Sequence, residues 1–155
     1  MIHHDHHRSR RKGAATVETA VILIPLVMIM FGVFEYGRLL MAWNLLDNSA
    51  REGCRFALAN NTNYSSASLF ETAVTNTVTS YMGGQNTKAY SGFTVAVSGT
   101  HNGTAVSDPT TLVPGDMITV TVTGTYKFMD VIPYVKMPTT MSISSAVTMI
   151  CEGGA

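Results

Sequence analysis

The sequence predicts an α+β protein. A long N-terminal helix, apolar in its first half and amphipathic in its second, packs on a small three-stranded antiparallel sheet with one additional helix. Three observations carry this expectation. Residues 19–34 are sixteen consecutive uncharged positions dominated by Val, Ile, Leu, Met and Phe, and a stretch of helical period follows them without a loop. After residue 58 the composition shifts to Thr, Ser, Asn and Gly, and three short stretches there alternate apolar with polar residues, as half-buried strands do. With 155 residues, 13% charged and 46% hydrophobic, the chain has room for one membrane segment and one small domain.

Residues 1–13 read as a basic, hydrophilic leader, residues 14–38 as a transmembrane helix, and residues 39–155 as an outer domain that includes the amphipathic continuation of the helix. In the leader, His3, His4, His6 and His7 are of a type that binds metal through neutral imidazole. The plainer reading of a polar cytoplasmic leader is preferred, and no metal or other cofactor is expected. Arg8, Arg10, Arg11 and Lys12 stand immediately before the apolar run, a bias that places the N-terminus in the cytoplasm and the rest beyond the inner (cytoplasmic) membrane. Removing residues 1–13 takes away four bases and one acid, leaving six Lys and Arg against nine Asp and Glu. The outer part is mildly acidic and has no basic stripe, which argues against nucleic acid as a partner.

The sixteen-residue apolar core is short of the ~20 residues that span a bilayer, and residues 14–17 extend it. Glu18 interrupts that extension. A carboxylate in hydrocarbon costs roughly 2.5–3.5 kcal/mol on insertion scales, so it asks for a partner or a function. Five places before it stands Gly13, preceded by the basic residues and followed by Ala14, Ala15, Thr16 and Val17. This arrangement resembles the type IV prepilin processing signal, in which a membrane peptidase cuts after the glycine and leaves the acid at the fifth mature position. A glycine at the membrane surface lets extended backbone approach a protease. The cut frees a positive amino group on Ala14, about one helical turn from Glu18. In a stack of such helices, Glu18 of one subunit can neutralise the new terminus of its neighbour. The competing reading is a signal anchor in which Gly13 and Glu18 merely lie near the interface. A secretory signal peptide fits less well, because the apolar run passes into FEYGRLLMAW with no small-x-small cleavage site.

Leu39, Trp43, Leu46, Ala50, Cys54 and Ala57 follow at helical spacing and form one face, while Asn44, Asp47, Asn48, Arg51, Glu52 and Arg55 fall largely on the remaining surface. A helix over residues 14–59 would be about 69 Å long. Pro25 should kink it slightly, and Glu35 and Arg38, three apart, can pair where the chain leaves the lipid.

GAATVETAVILIPLVMIMFGVFEYGRLL followed by NSAREGCRFA resembles the TadE-like family of minor pilins, or pseudopilins, of tight-adherence pilus systems. Gly13 and Glu18 match that pattern. So do Phe31, Gly32, Glu35, Tyr36, Gly37 and Arg38, and then Ala50, Arg51, Glu52, Gly53 and Arg55. Thr19, where Phe is usual, and Ala14, where many type IV pilins carry an aromatic residue, depart from it. The resemblance implies a membrane-anchored structural component of a type IV-like pilus assembly or secretion system, processed between Gly13 and Ala14 and assembled through Glu18. Its implied partners are the membrane, a prepilin peptidase, other pilins and assembly-platform proteins, without a small-molecule substrate. An unprocessed single-pass anchor presenting an adhesion or scaffolding domain is the alternative.

In the outer domain, Ser68 and Glu71 form a capping-box pattern ahead of Phe70, Val74, Thr77, Val78 and Tyr81, predicting a second helix closed by Gly83 and Gly84. Phe93, Val95 and Val97 mark a first strand. Residues 99–116, rich in turn formers, read as an exposed loop. Ile118, Val120 and Val122 alternating with Thr mark a second strand, and residues 127–138, with Pro133 and Pro138, a further connection. Met141, Ile143, Val147 and Met149 mark the last strand.

Cys54 and Cys151 lack the spacing of a zinc or CxxC site. Two readings stand for them: a disulfide closing a loop of nearly a hundred residues, worth on the order of 4 kcal/mol in the loop-entropy model, or two small buried thiols between helix and sheet. An enzyme is disfavoured, because the one histidine beyond the leader, His101, lies in a Gly-containing loop with no catalytic motif around it.

Overall fold

A computed structural model describes residues 8–83, 90–129 and 139–152 of the chain. Helix α1 (Arg8–Asn60) leads through a short 3₁₀ turn (Asn61–Asn63) to α2 (Ala67–Gly83). Four strands follow: β1 (Tyr90–His101), β2 (Thr104–Val106), β3 (Met117–Lys127) and β4 (Thr140–Ile150). The chain divides into two compact units, residues 1–37 and residues 38–155.

The first unit holds the apolar part of α1. The helix is continuous through Pro25, whose missing N–H and ring are tolerated in a helix of this apolar character. Gly13 lies inside α1, so its backbone is helical in the structure and not extended.

The second unit is α+β, as expected, but its sheet has four strands and not three, in the order β2-β1-β3-β4 with every neighbouring pair antiparallel. The extra strand, β2, lies within the stretch expected to be an exposed loop. Its cause is Asn102-Gly103, the two residues that turn the chain between His101 and its partner Thr104. Both have positive φ, 50° and 80°, the conformation a two-residue hairpin turn requires and Asn-Gly accepts readily. Beyond β2, Asp108 caps a 3₁₀ turn over Pro109–Thr111 by accepting from the backbone N–H of Thr110 at 2.9 Å and from its hydroxyl at 2.7 Å. Helix α2 starts one residue before the proposed capping box. Ser66 serves as the cap, with its Oγ accepting from the N–H of Leu69 and its carbonyl from the N–H of Phe70, while Ser68 already sits in the first turn.

The core lies between one face of the sheet and the two helices. From α1 it takes Ala42, Leu46, Ala50, Cys54 and Ala57; from α2, Phe70, Val74, Val78 and Met82; from β3, Ile118, Val120, Val122 and Tyr126. The α2 residues follow at steps of four, one ridge of a helix. That ridge buries Met82 and leaves Tyr81, expected inside, exposed. In α1 the shift is similar: Ala42 is buried and Trp43 is half exposed. On β3 burial alternates strictly, with Thr119, Thr121, Thr123 and Thr125 on the opposite face. Met141, expected inside, is also exposed, and burial on β4 begins at Ile143. Residues 130–138, which include Pro133 and Pro138, and Gly84 lie outside the described residues.

Gly53 is the point of closest approach. A Cβ there would stand 2.5 Å from Val78 Cγ2 of α2 and 3.3 Å from Val120 Cγ1 of β3. Only a glycine lets α1 lie this near both elements.

Candidate functional site

The first unit presents a surface that water does not suit. Within α1 a window of eighteen residues has a mean hydropathy of 2.4, and none of it is buried inside the protein. Val21, Ile22, Leu23, Ile24, Leu26, Ile29, Val33 and Phe34 are all more than half exposed. Each such side chain forgoes about 1.5–3 kcal/mol of burial when it faces water. Together, at roughly 12–24 kcal/mol, they match or exceed a small domain's whole stability of about 5–15 kcal/mol. Helix α1 is long and apolar enough to cross a bilayer and fits a single-pass membrane anchor.

Glu18 and Thr19 lie at the N-terminal end of the apolar run, and Glu35 near its other end. Glu18 is exposed and lies one helical turn from Ala14, on the same face. Thr19, next to it, donates its hydroxyl to the carbonyl of Ala15 at 2.9 Å. That bond within the helix makes a Thr compatible with an apolar setting. At the start of the second unit the Arg38 guanidinium lies 5.7 Å from the centre of the Tyr126 ring, a cation–π distance. Farther on, Arg51 meets Asp47 at 2.8 Å and Arg55 meets Glu52 at 3.6 Å. These surface pairs contribute little to stability. Asp47 also accepts from the Ser145 hydroxyl at 2.9 Å, which ties α1 to β4.

A second group of polar residues gathers where β1, β3 and β4 end. The buried Asp116 accepts from the backbone N–H of Val113 at 2.9 Å through one carboxylate oxygen and meets His101 Nδ1 at 2.6 Å through the other. The Val113 N–H, helped by His101, holds the Asp116 carboxyl below its ordinary range against the opposing effect of burial. His101 Nε2 lies 3.1 Å from the Asn102 amide. Both ring nitrogens are therefore engaged, one by an acid and one by an amide.

Cys54 and Cys151 are free, buried thiols in the same core. The thiol of Cys54 donates to the carbonyl of Ile118 at 3.5 Å. Burial pushes both thiols up from their ordinary value, and for Cys151 the nearby Asp116 carboxylate adds to the effect. The leader histidines His3, His4, His6 and His7 lie outside the described residues. Among the described residues no group of three or more His, Cys, Asp and Glu is placed to hold a metal ion.

Sequence reasoning singled out Gly13, Ala14 and Glu18, and the structure sets all three on one exposed helical segment. It missed Asp116, whose only local sign is a Pro-Gly turn before it, and the packing role of Gly53. Comparison with curated proteins found no match, and comparison with solved structures found none either. Comparison with protein families did: the match runs from Gly13, through the exposed apolar helix and Glu18, to Arg55, two residues beyond the tightly packed Gly53. Over residues 13–55 the chain is similar to the family model described as TadE-like protein.

Proposed function

We propose that this chain is a minor pilin or pseudopilin: a structural, non-catalytic subunit held in the inner membrane by α1, with its N-terminus cytoplasmic and residues 38–155 outside. The observation that carries this reading is an apolar helix with none of its hydrophobic window buried in the single chain, whose acidic residue nearest the N-terminus, Glu18, stands a turn from the proposed new terminus. A prepilin peptidase removes residues 1–13. The freed ammonium of Ala14 then meets Glu18 of a neighbouring pilin, so that two charges costly in lipid offset each other. Further partners are the assembly-platform proteins that collect such subunits into a pilus or secretion complex, from which the subunit can pass into an extracellular fibre.

One observation favours a second reading. Helix α1 already begins at Arg8, ahead of Gly13, so scission requires the helix to unwind locally. A helix left intact there describes an unprocessed anchor that presents residues 38–155 as an adhesion or scaffolding domain. Mass spectrometry of the protein recovered from membranes separates the two. An N-terminal Ala14 supports the pilin; a retained histidine-rich leader supports the anchor.

A further inference from the structure

Cys54 and Cys151 are the two cysteines of the chain, and both lie in the core of the second unit although they arrive from its opposite ends. Cys54 comes from α1, and its Sγ lies 3.5 Å from the carbonyl oxygen of Ile118. Cys151 follows β4. Its N–H donates to the carbonyl of Asp116 at 2.7 Å, and its own carbonyl accepts from the N–H of Gly115 at 2.8 Å. Asp116 and Ile118 are both buried and two residues apart, so both face the helices. Ile118 in turn pairs with Met149. Cys151, just past the end of β4, is therefore the next helix-facing position, about 7 Å along the chain from the place where Cys54 touches the sheet. A cysteine side chain at each end covers much of that interval, and the charge of Cys151 is felt at the Cys54 thiol.

We propose that Cys54 and Cys151 are a redox modification site that closes into an intramolecular disulfide, stapling the last strand to α1. The oxidant is a thiol–disulfide exchange partner, a small or protein disulfide. Cys151, at the strand end and slightly more exposed than Cys54, reacts first as its thiolate. It attacks one sulfur of the donor, forms a mixed disulfide and expels one donor thiolate. The Cys54 thiolate then attacks the Cys151 sulfur and expels the second. The donor gains two electrons, and the two protein thiol protons pass through solvent to its thiolates. Because burial holds both thiols in the protonated form, closure waits on transient opening at residues 150–151 and quickens as pH rises. The pairing rests on packing alone. Only the presence of an oxidant in the cell rests on the outward placement of residues 38–155.

The test uses the full chain in detergent micelles, incubated with oxidised glutathione, quenched in acid, unfolded and alkylated. The expected result is a chain lighter by two hydrogens, with neither cysteine alkylated unless reductant is added, and a digest in which the two cysteine peptides are joined. Reductant lowers the thermal midpoint of the oxidised protein, and Cys54→Ala or Cys151→Ala abolishes that dependence. Two alkylated thiols, or a glutathione retained on either cysteine, overturn the proposal. Should the variants fail to fold, the mass and joined-peptide readings on the unaltered chain decide. Alkylation of acid-quenched cells adds a second arm. Oxidation in micelles together with reduced thiols in cells supports the pairing and counts against the outward placement.

Discussion

Gly53 shows how a single missing methyl sets a tertiary distance. Val78, which a Cβ at this position would strike, is β-branched and sits in a helix, where it has essentially one rotamer and cannot swing away. Gly53→Ala gains about 1 kcal/mol of helix propensity but meets an overpacking cost of about 1–3 kcal/mol. The expected outcome is a net loss of up to about 2 kcal/mol in denaturant unfolding of the second unit; a more stable variant would show that α1 and α2 can part at no cost. Asp116 calls for a pH experiment. Its carboxyl has a lower pKa folded than unfolded, chiefly through the Val113 N–H and then His101. Its stabilising contribution is therefore complete above the ordinary carboxylate range and is lost as pH falls through the folded value. Asp116→Asn should lower the thermal midpoint near neutrality and flatten its decline in acid. A variant whose midpoint follows the unaltered protein across the acid range would remove Asp116 from the account. Neither residue could be given its role from sequence, since Gly53 looks like an isolated helical glycine and Asp116 lies fifteen positions from His101.

At the scale of elements, local pattern was informative wherever a period ran long enough. Helix α2 and strands β1, β3 and β4 lie where alternation or helical spacing put them. Strand β2 is different: three residues carry no period, and only Asn102-Gly103 marks it. The displaced partners in the helices, Ala42 beside Trp43 and Met82 beside Tyr81, differ by one position from the expected face. Steps of three and four are equally helical, and the facing sheet selects the ridge. Two predictions belong to α1. Gly13→Val should block or slow removal of the leader, seen as accumulation of the longer chain in membranes. Glu18→Ala should permit cleavage but reduce recovery of the subunit in sheared surface assemblies several-fold. Unchanged recovery would eliminate the charge pairing between Ala14 and Glu18.

For the whole molecule, the division is between residues 1–37, an apolar helix with no buried hydrophobic window, and residues 38–155, which hold a core. The full chain should fractionate with membranes and stay there through alkaline carbonate washing. Residues 38–155 expressed alone should remain soluble and keep a cooperative thermal transition, since among the described residues their core draws on none before Leu39. A truncated chain that aggregates without such a transition would mean that residues 1–37 stabilise the outer unit. The sequence by itself determined the membrane-suited helix, the α+β class and the TadE-like segment, because hydropathy, charge order and short periods are sums over neighbouring residues. The tertiary structure alone decided the close approach at Gly53, the His101–Asp116 contact and the placing of Cys54 and Cys151 in one core. Each of these depends on residues far apart in the chain being brought to one point, and no local pattern encodes that distance.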